Sequence, residues 1–514
     1  MARMFAATHI SSTSTPLPRG VRRALEAMRA EAGREWSVAD LGAVAGLSGR
    51  TLQRQFRIFL GQSPHAVLRD IRFDCARREL LRVSPEARVM DVALRWGFTH
   101  FGRFSIEYRR RYGETPSRTL KRQAGFIDAL ASMPPFLMPD RDRPTVALAP
   151  IETSPEDAEV ARGIADELAT ALTRAGVALV NQQRGARYHL TGVLRKSDGQ
   201  PRLSFRLLEA ETGRYVWAHR GDGVLGNDLV LEEHHATRIA AALQPNLRLA
   251  EIERAGRKPE IDLNAHDLTL RAMPHALSLD IDGNARAIDL LDRAMDLDPN
   301  NTLATALAAW AHAQRVIYHF SETPLLERAR GVELARKALA LGGDATALAL
   351  LGNALTSLHD VETADLVIRK ALSVDGGSAW AWSRSGWIDV YKGDSESAIE
   401  RFMIALELAP QDSLAFNNFV GIGVAHFNAG RYLDAARWQE RALAEHPTAG
   451  WVHRTMCPAY VLAGAEAEAR RSLAGLREHY PELTVSGVQE GLPPLRPAVR
   501  ELVFDALETI GLPA

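Results

Sequence analysis

Two stretches of this chain repeat one another in register. DLGAVAGLSGRTLQRQFRIFLGQSP (40–64) and DVALRWGFTHFGRFSIEYRRRYGETP (91–116) set Asp40 against Asp91, Gly46 against Gly97 and Leu47 against Phe98 at an offset of 51. After one inserted residue the offset is 52, pairing Leu52 with Phe104, Phe56 with Tyr108, Gly61 with Gly113 and Pro64 with Pro116. Matches at so many positions of restricted type imply two copies of one local structure. In each copy a short helix (Val38–Ala45; Val89–Arg95) should end near a glycine that accepts positive φ. An apolar residue follows, then a capping hydroxyl, Ser48 or Thr99. A second helix then begins, its apolar residues at i and i+4 facing the first. Leu41, Leu52, Phe56, Val92, Phe98, Phe104 and Tyr108 are the expected core.

Two helices joined by a tight glycine turn make a helix-turn-helix, whose second helix is free to enter a major groove. Its exposed face carries Arg50, Gln53, Arg54 and Arg57 in the first copy, and His100, Arg103, Arg109 and Arg110 in the second. Arginine and glutamine there can fork onto guanine and adenine edges. A basic helix face is more often merely solvated, so local charge decides. Residues 1–125 hold 23 Lys+Arg against 11 Asp+Glu, leaving 39 against 52 of the chain's 62 and 63 for the remainder. That asymmetry points to a polyanion-binding N-terminal domain and another task for the rest.

Residues 18–122 resemble the DNA-binding domain of the AraC/XylS family of bacterial regulators. The likeness rests on LQRQF, G-x-S-P, a connecting helix over Pro64–Arg82 with Arg72 and Arg77, then WGF, GRFSIEYRRRYG and TPS. It implies seven helices, with helix-turn-helix units at about 38–59 and 89–112 that enter successive major grooves of double-stranded DNA. It also implies base reading by Arg50, Thr51, Gln53 and Arg54 in the first unit. In the second the equivalent positions fall at Phe101, Gly102, Ser105 and Ile106, with His100 and Arg103 beside them. Arg57, Arg109, Arg110 and Arg118 are the expected phosphate contacts.

Beyond an expected linker at 123–143, residues 144–258 change character. TVALAPI and VALVN read as strands around a helix at 156–176, and segments 188–199, 201–213 and 214–222 alternate as a meander with turns at Asp198-Gly199 and Thr212-Gly213. A helix over 229–247 closes the segment. VALAPI, GIADELATAL, YHLTGVLR, LLEAETGRYVWAHR and IAAALQPNL resemble the TolB-like α/β domain, which either senses a ligand or bridges its neighbours. No phosphate-binding loop or dinucleotide fingerprint occurs. His234 and His235 are adjacent and so point apart on a helix, which disfavours shared metal binding. DIDGN (280–284) has Asp289 where a calcium loop needs glutamate, and reads as a capped turn. No metal, cofactor or catalytic residue is expected.

In residues 262–484, Gly352, Gly386 and Gly423 each precede an alanine by 19: Ala371, Ala405 and Ala442. Ala364, Ala398 and Ala435 stand seven before those, and Gly376, Pro410 and Pro447 five after. Intervals of 34 and 37 with small residues at helix crossings resemble tetratricopeptide repeats. Five or six copies should stack as an α-solenoid, with residues 485–514 as a C-terminal helical cap. Such a solenoid either docks a protein or peptide in its groove, near Trp382, Asn417, Asn418 and Arg454, or serves as a packing scaffold.

Cys75 and Cys457 are the only cysteines, too few for a disulfide framework, so a reducing cytoplasm is the expected compartment. The first residues lack the apolar core of a signal peptide, and no uncharged apolar run is long enough to span a membrane. The expectation is a multidomain, non-enzymatic transcription regulator: an all-α double helix-turn-helix, an α/β middle domain and an α-solenoid. RNA polymerase, an unknown protein or peptide at the repeats, and a homodimer partner accompany DNA. The alternatives are an interaction scaffold with non-specific DNA binding, and a DNA-tethered enzyme with its site in the middle domain.

Overall fold

A computed structural model describes residues 18–80, 88–112, 115–120, 144–180, 185–197, 200–222 and 229–513. The expected linker at 123–143, Gly113 and the Asp198-Gly199 turn lie outside them, as do the side chains of His234 and His235. The chain divides into two compact units, Met1–Ser132 and Met133–Ala514.

The first unit contains α1 (Arg19–Ala30), α2 (Val38–Ala45), α3 (Gly49–Leu60), α4 (Pro64–Leu80), α5 (Val89–Arg95), α6 (Phe101–Tyr112) and a helical turn, α7, over 116–120. Two cores form around the two copies. Val21, Met28, Leu41, Leu52, Phe56 and Leu68 make the first. Phe73, Leu80, Val92, Phe104 and Tyr108 make the second, with Phe98 packed against it. Helix α4 contributes to both, which explains why one helix connects the copies.

In the second unit, strands β1 (Thr145–Leu148), β2 (Ala178–Leu179), β3 (Tyr188–Ser197), β4 (Gln200–Glu209) and β5 (Tyr215–Asp222) form one sheet in the order β2-β1-β3-β4-β5. β1 runs parallel to β2 and β3, and β3-β4-β5 is an antiparallel meander. Alternation along β3 and β4 turns Tyr188, Leu190, Leu194, Leu203, Phe205 and Leu207 inward. Helices α8 (Ala158–Arg174) and α9 (Leu229–Arg257) cover that face with Ile164, Leu168, Leu172, Ile239, Leu243 and Leu247.

Six helical hairpins follow: α10 (Ala265–Leu277)/α11 (Ile281–Leu297), α12 (Thr302–Ile317)/α13 (Pro324–Leu341), α14 (Ala345–Ser357)/α15 (Val361–Val374), α16 (Ala379–Lys392)/α17 (Ser395–Leu408), α18 (Ala415–Asn428)/α19 (Tyr432–Glu445) and α20 (His453–Leu462)/α21 (Glu466–His479). The expected glycines sit at close helix approaches. A Cβ on Gly352 would lie 2.4 Å from Ile368, one on Gly386 2.9 Å from the Phe402 ring and one on Gly423 2.6 Å from Gln439. Gly421, which the spacing does not mark, is as tight, at 2.2 Å from Phe402. The turn inside each hairpin takes positive φ at Leu279, His319 and His359, then at Gly393, Gly430 and Gly464. The first intervals are therefore 40 residues, longer than the 34 and 37 legible from the crossing glycines.

One expectation needs correction. Asn417, Asn418 and Arg454 do not line an open groove but are buried. The C-terminal helices α22 (Val485–Gly491) and α23 (Pro497–Ile510) follow the last hairpin. Helix α23 packs on α20 and α21, α22 also meets α12, and Arg496 packs on Gly393. Helix α14, packed by α12, α13, α15 and α16, is enclosed nearly all round: every residue of Leu348–Ser357 is buried.

Helix α9 serves both the sheet and the solenoid. Beyond its sheet-facing side, Arg248 pairs with Asp412 at 2.9 Å and lies 3.9 Å over the Trp380 ring. Gln244 donates to Asp375 at 2.9 Å. At its C-terminal end Glu251 accepts from Arg187 and from the Tyr188 hydroxyl, each at 2.9 Å, while Arg254 and Lys258 bond Asp267 of α10.

Burial holds the imidazoles of His319, His359 and His453 down at about 4, against an ordinary 6.5. Their folded values lie below the unfolded one, so this stability is present above pH 6.5 and is lost as pH falls towards 4. Burial raises Glu209 and Glu327, but hydrogen bonds from Thr212 and Arg257 to the first and from His312 and Arg315 to the second outweigh it and lower both; those carboxylates lose their contribution only below an ordinary 4.5. The urea midpoint should therefore drop between pH 7 and pH 5. An unchanged midpoint there would contradict the burial of these rings.

Candidate nucleic-acid interface

The first turn is built as its residues dictate. Ser37 and Asp40 form a capping box at the start of α2. Gly46 closes the helix at φ 68°, with Leu47 N–H bonding Gly42 O at 2.9 Å. Ser48 caps α3 through Thr51 N–H at 3.3 Å. The second turn repeats this closure, with Gly97 at φ 76° and Phe98 N–H bonding Ala93 O at 2.9 Å. It departs in one respect: α6 begins at Phe101, so its flanking residue is His100, not Thr99. The inserted residue lengthens the turn and moves the helix start beyond the expected cap.

Arg50, Gln53, Arg54 and Arg57 lie exposed on one face of α3, at the i, i+3, i+4 and i+7 spacing of a single stripe. None makes an ion pair with another described residue. Thr51 is half-buried, and its hydroxyl lies 2.9 Å from that of Ser48, so it acts in the cap. His100, which flanks α6, and Arg103, Arg109 and Arg110 on it are exposed, and Ser105 is half-buried. Phe101 and Ile106 are 41% and 74% exposed. The position matching Arg50 is Gly102, where a Cβ would meet nothing within 4 Å. The outer face of α6 thus combines cations with apolar contact surface. Arg118 is exposed on α7.

What sequence reasoning missed is the clamp that α4 places on α6. Arg111, outwardly one of three equivalent arginines, is half-buried and paired with Asp70 and Glu107. Arg69 also bonds Glu107, Tyr112 donates to Asp74 at 2.7 Å, and Arg77 lies 4.4 Å over the Tyr112 ring. Carboxylates at Asp70 and Asp74, four apart on α4, were the available signal. Arg72 joins the two copies. It donates to the carbonyls of Ala32 at 2.8 Å and Arg34 at 2.7 Å, and a Cβ on Gly97 would stand 2.8 Å from its guanidinium carbon.

A family model described as a helix-turn-helix domain matches residues 41–122. The probable thc operon regulatory protein of Rhodococcus erythropolis is 41% identical over 106 residues, which is 20% of this chain and 32% of that protein. Residues 41–122 form a helix-turn-helix domain of AraC type. XylDLEGF operon transcriptional activator 1 of Pseudomonas putida is 35% identical over 105 residues, 20% of this chain and 32% of the activator. Putative adenylate cyclase 3 of Rhizobium meliloti (strain 1021) is 25% identical over 199 residues, 34% of each chain. Each match thus spans about a third of the relative's length.

Within the AraC-type domain, Gly97→Val should be costly. The side chain would be strained at φ 76° and would push Arg72 from its carbonyl acceptors. The expected loss is about 1–3 kcal/mol, read as a lower unfolding midpoint. Gly102→Ala, in open space, should leave the midpoint nearly unchanged.

Proposed function

We propose that this protein is a cytoplasmic, sequence-specific DNA-binding transcription regulator whose C-terminal unit receives a signal. The observation that carries the reading is the exposed Arg50, Gln53, Arg54 and Arg57 stripe on α3, unpaired among the described residues, in a domain of AraC type. The names of the Rhodococcus and Pseudomonas relatives support regulation. Arg50, Gln53 and Arg54 read base edges, with Thr51 holding the helix start. Arg57, Arg109, Arg110 and Arg118 neutralise phosphates and set register, so affinity falls steeply with salt. In the second copy His100, Arg103 and Ser105 supply polar contacts, while Phe101 and Ile106 offer apolar surface to thymine methyls.

In this reading the middle domain is TolB-like and links the solenoid to the DNA-binding domain. RNA polymerase, a protein docked on the solenoid's outer surface and a second copy of the chain are the proposed macromolecular partners. No described helix is long and apolar enough to cross a membrane.

Selection of bound DNA from a random pool with the full chain tests the reading. A shared motif with contacts spaced by about one helical turn, roughly 10 base pairs, supports it. Uniform, motif-free binding would instead favour a scaffold with non-specific DNA affinity. We read the chain as non-enzymatic, and conversion of ATP to cyclic AMP by the purified protein would overturn that part.

A further inference from the structure

Two arginines inside the solenoid lack the partner that buried guanidiniums normally have. Arg384 on α16 is 7% exposed and Arg454 on α20 is 3% exposed. Neither forms an ion pair with a described carboxylate. Arg454 donates to the carbonyls of Ile317 at 2.7 Å and Trp451 at 3.1 Å, and stands 3.3 Å from His319 Nε2. Arg384 bonds the Thr356 hydroxyl at 3.1 Å and the Tyr391 side chain.

The surroundings are donors rather than acids. Tyr318 lies within electrostatic reach of both arginines and packs 4.9 Å from the Trp451 ring. Arg384 Nε, Trp387 Nε1 and Trp451 Nε1 are buried with no hydrogen-bond acceptor among the described residues. Trp387 sits 6.0 Å beneath the Arg384 guanidinium. Burying one cation without a counter-charge is expensive. Two such cations, one with its own Nε unmet, beside two unsatisfied indole donors call for an acceptor carrying negative charge.

We propose that Arg384 and Arg454 form an internal site for a small carboxylate- or phosphate-bearing anion, enclosed by the inner helices of the solenoid. Guanidinium forks match the paired oxygens of either group, and the flanking indole N–H groups bond the remaining lone pairs. Arg454 ties α20 to the end of α12 through the Ile317 carbonyl, Arg384 ties α16 to α14 through Thr356, and α22 and α23 pack on α12 and α20, so occupancy of the site bears on how tightly the solenoid closes. This gives a chemistry to the signal in the reading above and rests on that reading only for its effect on DNA. Binding itself is measured without DNA, so either idea can fail alone.

The test is thermal unfolding of the full chain in chloride, inorganic phosphate and succinate at matched ionic strength. One of the two probe anions should raise the midpoint saturably, by about 5 °C at saturation. The phosphate and succinate arms distinguish the two headgroups. Arg384→Met and Arg454→Met should each unfold at a higher temperature than the parent in chloride and lose the anion response, whereas the exposed Arg437→Met should keep it. The same midpoint for the unsubstituted chain in all three salts would overturn the proposal without reference to any variant. So would an anion response that survives in both buried-arginine variants.

Discussion

Replacing Arg50 and Arg54 together with alanine should cost about 2–6 kcal/mol of binding at the selected DNA site, at least roughly a thirtyfold loss. The two side chains stand one turn apart on the exposed face of α3 and make no ion pair with other described residues. Their removal therefore leaves the fold unchanged, and alanine suits a helix. A base-reading arginine loses a bidentate contact that only the correct base supplies, so the penalty should appear on the selected site and shrink on scrambled DNA. Arg57→Ala should behave differently, weakening all sequences alike and lowering the slope of log affinity against log salt by about 0.9. Competition binding on selected and scrambled duplexes over a range of salt separates the two outcomes. Equal losses on both duplexes for the double variant would make Arg50 and Arg54 phosphate contacts only.

The second large effect is expected at Asp412. Its carboxylate pairs with Arg248 at 2.9 Å, accepts from Trp380 Nε1 at 2.9 Å and accepts from Leu414 N–H at 2.9 Å. Burial lowers the Arg248 pKa against the pull of Asp412, so the pair is strongly desolvated. Asp412→Ala strands that guanidinium and should cost about 3–5 kcal/mol. Because Arg248 lies on the helix that also covers the sheet, the damage should separate two transitions, with the sheet layer melting before the solenoid. Calorimetry reads this directly. Combining Asp412→Leu with Arg248→Met should restore most of the loss, since the charge and its partner leave together. No recovery in the double variant would mean that the Leu414 and Trp380 contacts carry the stability instead.

The sites of these two predictions differ in how far sequence alone could find them. The α3 stripe was readable because its determinants are local. Gly46 closes one helix, Ser48 opens the next, and Leu52 and Phe56 fix which face turns inward. The second copy repeats the frame with residues of the same kind, Gly97, Phe104 and Tyr108. In α6, the three arginines 109–111 look alike in sequence. Asp70, across the domain on α4, takes Arg111 into an internal pair and leaves Arg109 and Arg110 exposed.

The Arg248–Asp412 pair had no sequence signal, since its members stand 164 residues apart. The early hairpins were faint for a related reason. Their turns place Leu279, His319 and His359 at positive φ where later copies have glycine, and their interval is 40 residues. Sequence by itself determined the duplicated helix-turn-helix, its core and the small-residue crossings of the later repeats, because backbone sterics and apolar period act over a few residues. Tertiary structure alone decided that α9 joins sheet to solenoid, that the C-terminal helices cover the inner face, and that Arg384 and Arg454 become buried. Those outcomes depend on what packs opposite each side chain, and local spacing carries no record of it.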